Sequence, residues 1–397
     1  MQTHHEQTNI RTAYFLAFIS EIFFPIAIWL FFYTQFLDFT QIALLTGICG
    51  LAALLFEVFT GAFADLFGRK TAIVFSYILF SASMLGVAFS HTFEAFLVLG
   101  IVAALSNALY SGSLEALVYD SLKESGKEHI FERVISRMEA LTWIGLFVGS
   151  IVGGFLYQFN ARLPYLVQAV SMAIAAIAAL WLQEPRIDSQ KFHLKQLVTQ
   201  NTAGFKELFR TNTTAITSLI FITIGAGYYA ASQMLGISQA KQYGISPSGV
   251  GVLFGAGYVL SAVASHFFPK FRKVLGNKVL LVVSVVALLT SFLLANFVNI
   301  AGGAALIILR IASSTTFRNS RSMIFNGIFS SKNRATALST LNLLSNLPYV
   351  VFAYLIGSTI DKTSPNQFSL VLGVVLFTVL TILLIMRKVH VVKQTVN

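Results

Sequence analysis

Apolar runs about twenty residues long recur along the whole of this sequence, and that recurrence leaves few folds open. A bilayer core of about 30 Å is crossed by a helix of roughly twenty apolar residues. In lipid each backbone N–H and C=O must find a partner inside the protein, so a run of this kind spans as a helix. The runs fall at 12–34, 39–62, 71–90, 93–118, 136–157, 163–182, 213–236, 247–268, 278–297, 299–321, 335–358 and 366–386. Only 11% of residues are charged, against roughly 25% in a soluble domain, too few to cover a water-facing surface. The prediction is an all-α membrane protein with 12 transmembrane helices.

The net charge of +11 sits in the gaps between runs. This fits membrane orientation better than a basic nucleic-acid face, and no nucleic-acid partner is expected. With the N-terminus placed in the cytoplasm, 23 of the 27 Lys and Arg fall in inner segments. Arg162, Lys241 and Lys362 fall outside, and Arg310 lies within a span. Such a bias predicts both termini on the cytoplasmic side. The stretch MQTHHEQTNIRT is polar, and the run after it is too long for a signal-peptide core. His4 and His5 read as solvated tail residues. Cys49 is the only cysteine, so no intrachain disulfide and no Cys-based metal site is expected.

The longest polar gap divides the chain into an N-terminal six-helix bundle (1–182), a cytoplasmic linker (183–212) and a C-terminal six-helix bundle (213–397). The linker stretch FHLKQLVTQNTAGFKELFR has the pattern of an amphipathic surface helix. Gly68-Arg69-Lys70 before the third run is echoed by Gly276-Asn277-Lys278 before the ninth. A duplicated architecture with a site between its halves is the reading.

The sharpest motif is Gly61-Ala-Phe-Ala-Asp65-Leu-Phe-Gly68-Arg69-Lys70, between the second and third runs. This G-x-x-x-D-x-x-G-R-K loop resembles that of the major facilitator superfamily. The resemblance extends over the chain through the six-plus-six layout, and implies two pseudo-symmetric bundles. It also implies a cytoplasmic latch, in which Asp65 sits at the start of the eleventh helix near Ala335. Arg69 would pair with an acid at the inner end of the fourth span, where Asp120 fits. Glu57, Glu115 and Glu139 are assigned to the same inner network. The plainer reading makes Arg69 and Lys70 orienting charges only.

The fifth run holds Gly145-Leu-Phe-Val-Gly149-Ser150-Ile-Val-Gly153-Gly154. It resembles the family's antiporter motif, with Ser150 where the family has proline. That resemblance implies export, although glycines at this spacing also serve ordinary helix packing. A second departure is Ala108, where proton-coupled drug exporters carry an arginine four residues before a glycine, here Gly112.

Charges within spans are costly and are functional candidates by default. Glu21 and Arg310 are the two nearest the middle of their runs. The family fold implies that spans one, four, seven and ten line a central cavity, so both should face it. Softer candidates are Tyr14, Asn107, Trp143, Tyr228, Tyr229, Gln233, Asn342 and Asn346, the seventh run bending after Gly225-Ala-Gly227. His266 reads as an interfacial residue.

The chain lacks a phosphate-binding loop and the common hydrolase motifs, and it is not expected to be an enzyme. The reading is a secondary active transporter working by alternating access. Proton-coupled efflux of small hydrophobic or cationic compounds leads, with Glu21 as proton carrier and no cofactor or metal. An uptake symporter or uniporter of a polar or anionic metabolite, with Arg310 binding the anion, is the alternative. A non-transporting sensor or scaffold is a further class. Partners are a small-molecule substrate and the lipid bilayer, the expected state is a functional monomer, and the expected location is a bacterial cytoplasmic (inner) membrane.

Overall fold

The computed structural model describes residues 2–185, 202–330 and 333–396, with the side chains of 2–5, 58–66, 335 and 390–396 excepted. Among the described residues the secondary structure is helical throughout, without a strand. Among the described residues nine helices are long and apolar enough to cross a membrane. A tenth arises if Thr336–Val351 and Ala353–Lys362, bent by 49° to one another, form one span. Pro348 lies one turn before that bend; it cannot donate to the helix ladder, and its ring crowds the preceding turn. Two shorter apolar helices, Leu163–Ala179 and Asn277–Leu293, occupy the sixth and ninth apolar runs. The outward faces carry large apolar side chains, among them Phe159, Val282, Val374 and Phe377. Surfaces of that kind are at equilibrium only in lipid, and the protein is an integral membrane protein.

The chain divides into two compact units. The first comprises Met1–Leu37, Leu45–Leu194 and Pro247–Gly255; the second comprises Asp38–Leu44, Lys195–Ser246 and Ala256–Asn397. The core of the first unit is an apolar cluster that includes Leu16, Ile73, Leu117, Leu122 and Met172, each buried.

Several boundaries differ from the sequence expectation. The first helix begins at Gln2, ten residues before the apolar run. Its polar start is held by side chains: Glu6 accepts from Lys127 Nζ at 2.9 Å. Asn9 donates to Ser121 Oγ at 2.8 Å and accepts from the Gln183 N–H at 2.8 Å. Phe131–Phe159 and Ile300–Ile328 are each 29 residues long. At about 1.5 Å per residue they reach about 44 Å, beyond a hydrocarbon core of about 30 Å. Arg133, Arg137, Arg318 and Arg321, counted among the 23 inner charges, lie on these two helices. In the linker, the amphipathic stretch lies outside the described residues up to residue 201, and 202–208 are helical.

The internal echo is visible in the backbone. Gly68 and Gly276 each precede a helix, with φ of +91° and +79° and ψ of 150° and 154°. Those dihedrals are accessible to glycine and strained for other residues, which explains why glycine stands at both positions.

Candidate functional site

The first unit contains two interrupted spans. Helix Gln2–Ile19 ends, residues 20–23 are non-helical, and the chain resumes as a 3-10 turn at Phe24–Ala27 with Pro25 at its start. The fourth span, expected to be continuous, also breaks. Helix Phe93–Tyr110 ends, Gly112 adopts φ +70°, and helix Ser113–Glu124 begins. Interrupted helices free backbone polar groups, which in a membrane are tolerated only where protein or a cavity satisfies them. One partner is Gln168, fully buried, whose Oε1 accepts the Phe24 N–H at 3.0 Å.

Three glycines of Phe131–Phe159 seat the first interruption. A Cβ on Gly145 would lie 3.0 Å from the Glu21 carbonyl carbon, and one on Gly149 would lie 2.7 Å from the Phe23 nitrogen. One on Gly153 would overlap Phe24 O. The backbone around Glu21 therefore rests on a groove that admits no side chain. Gly154 faces Pro247 and Ser248 instead, and Ser150 donates its hydroxyl to Gly251 O at 2.7 Å.

Beside the two breaks lies a cavity of about 270 Å³, lined by Glu21, Tyr110, Ser111, Gly112, Glu115 and Glu139 among others. A smaller pocket of about 70 Å³ also borders Glu21 and includes Tyr77 and Asn107. The sequence reading assigned Glu115 and Glu139 to the inner latch; both line this cavity. The break at Ser111–Gly112 redirects the chain and brings Glu115, in the first turn of the new helix, onto the cavity. Among the described residues three carboxylates and no basic side chain line this space, so its field favours a cation or a proton. Tyr14 packs against the apolar core and Trp143 is half-buried; neither lines these two cavities.

The second unit holds a cavity of similar volume, about 270 Å³, lined by Tyr228, Tyr229, Asn342, Asn346, Arg318 and Arg321 among others. The seventh span stays α-helical through its glycines, from Asn212 to Ala230. It then carries a π-helical turn at Ala231–Leu235, a feature that recurs where helices present functional groups. Gly225 makes room for Ser345. Gln233 Nε2 donates to the Tyr229 hydroxyl at 2.6 Å, and the Tyr228 hydroxyl donates to Ser284 O at 2.7 Å.

Arg310 departs from its expected place. Its side chain is 3% exposed, donates to Gln239 Oε1 at 2.8 Å and lies over the Phe292 ring at 5.3 Å. It is enclosed by its own unit, and the cavity-lining arginines are Arg318 and Arg321, about two and three turns further along the helix. Sequence reading passed over them because charges near the end of an apolar run look like loop charges.

At the loop after helix Phe39–Phe67, the side chains of Gly61 and Asp65 lie outside the described residues, as does that of Ala335. Arg69 Nη1 donates to Asp120 Oδ2. Glu184, unremarked in the sequence, accepts the Arg69 N–H on Oε1 and the Lys70 N–H on Oε2, each at 2.8 Å. A carboxylate at a helix N-terminus satisfies orphan donors and complements the helix dipole. Glu57 and His266 are exposed.

The model of the Major Facilitator Superfamily matches residues 12–317. The chain belongs to this superfamily. Membership places it among transporters and not enzymes. The chain is 26% identical over 258 residues to the uncharacterized superfamily transporter YxaM of Bacillus subtilis, covering 64% of this chain and 63% of that one. It is 23% identical over 243 residues to the quinolone resistance protein NorA of Staphylococcus aureus, covering 59% and 58%. The matches thus span less than two thirds of these relatives. The fold resembles that of the nucleoside transporter NupG, with a TM-score of 0.81, 15% identity and coverage of 96% of this chain and 99% of that one. Ala108, where the sequence resemblance led to an arginine being expected, is buried at 5% exposure, and among the described residues no basic side chain lines the first cavity.

Proposed function

We propose that this chain is a secondary active exporter that works by alternating access and couples outward movement of small hydrophobic or cationic compounds to the proton gradient. The observation that carries the reading is the placement of Glu21. It stands at the break of the first span, on a cavity whose other charged groups are Glu115 and Glu139. A carboxylate at an unwound segment of a membrane helix is a common way to present an ion or proton site. Similarity to a quinolone resistance protein supports export. Neutralising Glu21 with a proton releases a bound cation, and losing the proton restores the attraction, so one carboxylate can couple the two movements.

In this reading the chain has 12 spans with both termini in the cytoplasm, as the Lys and Arg distribution supports. It sits in a bacterial cytoplasmic membrane, acts as a monomer, needs no cofactor and has no nucleic-acid partner. The Arg69–Asp120 pair is part of an inner latch that parts when the protein opens inward.

The test is ethidium transport in proteoliposomes under an imposed pH gradient, for wild type and Glu21→Gln. Gradient-driven movement that Glu21→Gln abolishes is the expected result. Movement that ignores both the gradient and Glu21→Gln would turn the reading toward a uniporter. No movement of ethidium, nor of a panel of metabolites, would favour a sensor or scaffold.

A further inference from the structure

The cavity of the second unit has the opposite charge from that of the first. Arg318 and Arg321 lie three residues apart on one face of helix Ile300–Ile328 and both line it. Like charges at this spacing repel each other, and charges within a membrane helix carry a further cost. Neutral groups among the described residues hold both guanidinium groups in place. Arg318 Nη2 donates to Thr315 Oγ1 at 3.3 Å, and Arg321 rests over the Phe317 ring at 5.6 Å. No carboxylate lines the cavity, and none pairs with either arginine among the described residues.

The remaining walls suit an organic body. Asn342 and Asn346, one turn apart on Arg334–Val351, add amide groups, while Tyr229 and Phe317 add ring faces. A volume of about 270 Å³ lies near the lower end of small-ligand sites. Paired guanidinium groups match a carboxylate in charge and in planar, forked geometry.

We infer that this cavity binds the carboxylate of a small organic acid, held by Arg318 and Arg321 with its apolar part on Tyr229 and Phe317. The inference rests on the transporter reading and extends it, since the carried compounds then include molecules bearing a carboxylate. Arg310 has no such role, because its guanidinium is enclosed.

The experiment is equilibrium binding of radiolabelled benzoate to the purified full chain in detergent, with unlabelled benzamide and inorganic phosphate as competitors. Saturable binding is expected, displaced by unlabelled benzoate and not by benzamide. Arg318→Gln and Arg321→Gln should each weaken it at least tenfold. Arg318→Lys, which keeps the charge and loses the fork, should fall between, and it serves if a glutamine variant does not fold. Lys270→Gln, away from the cavity, should bind as wild type. Absent binding, or binding unchanged in both glutamine variants, would overturn the proposal. Phosphate competing as well as benzoate would also overturn it, marking a site for inorganic anions or lipid headgroups. Ethidium transport separates this idea from the one it rests on. Ethidium moved without benzoate bound removes this inference alone, whereas benzoate bound without ethidium moved removes the cation-efflux reading and leaves the carboxylate site.

Discussion

Asp361 holds Thr40 by two hydrogen bonds to one carboxylate oxygen, from the backbone N–H at 2.8 Å and from the hydroxyl at 2.6 Å. Its other oxygen accepts the Phe39 N–H at 2.9 Å. The first donors of helix Phe39–Phe67 are thus capped by a side chain more than 320 positions away in the sequence. Gly357, one turn before Asp361, brings the two segments close, since a Cβ there would lie 2.5 Å from Thr40 Cα. Loss of a helix cap costs about 0.5–2 kcal/mol. Asp361→Ala should lower the melting temperature in detergent, and Asp361→Asn should recover part of the loss. An unchanged melting temperature in Asp361→Ala would show that these bonds do not contribute.

Gly153 and Gly112 should respond differently to alanine, because one is short of space and the other of backbone freedom. A Cβ at Gly153 would overlap the Phe24 carbonyl oxygen, whereas one at Gly112 would meet nothing within 4 Å. Gly112→Ala then suffers mainly from its φ of +70°, a cost of about 1–2 kcal/mol. Gly153→Ala must push the first span off its groove, an overpacking cost of about 1–3 kcal/mol or more. Gly153→Ala should also disturb transport, because Glu21 rides on the displaced segment. Equal effects on expression, melting temperature and transport would contradict the groove.

Arg69 and Asp120 should be energetically coupled. Both side chains are mostly buried, at 20% and 16% exposure, so solvent screens the pair only in part. Contacting groups in one network show coupling energies of about 0.5–3 kcal/mol. The cycle of Arg69→Ala, Asp120→Ala and the double variant, read by thermal unfolding, should return a value in that range. Glu184→Ala should destabilise separately, because it caps the backbone of Arg69 and Lys70 rather than the Arg69 side chain. Strict additivity between Arg69→Ala and Asp120→Ala would deny the coupling.

Spans were legible in the sequence where a single physical demand set them, as twenty apolar residues do for lipid. The Gly68 and Gly276 turns were legible because a positive φ selects glycine. Breaks inside spans were not. Neither Ser20–Phe23 nor Ser111–Gly112 carries a proline or a polar run that marks a break in sequence; the first depends on Gln168 and on glycines more than a hundred residues away, the second on the positive φ of Gly112. The place of Glu115 on the cavity was not legible either, because it follows from the break before its helix. Arg310 was read as a cavity residue from its depth and from the family's cavity-lining tenth span, and neither says which face of that helix meets Gln239 and Phe292. Glu184 and Asp361 carry no local pattern at all; each acts on backbone donors that only the fold brings to it.

Glu115 and Glu139 should tune the affinity of the first cavity for cations without carrying the proton. Both are exposed on the space that Glu21 borders, so water screens them. Exposed charge pairs contribute about 0.2–1 kcal/mol, which corresponds to roughly a 1.4- to fivefold change in an equilibrium constant. Glu115→Gln and Glu139→Gln should each raise the KM for ethidium by about that factor. The rise should shrink with added salt, because an ionic atmosphere weakens exposed charges most. Dependence on the pH gradient should survive in both, unlike in Glu21→Gln. A variant that kept ethidium affinity but lost gradient dependence would move the proton site from Glu21 to that residue.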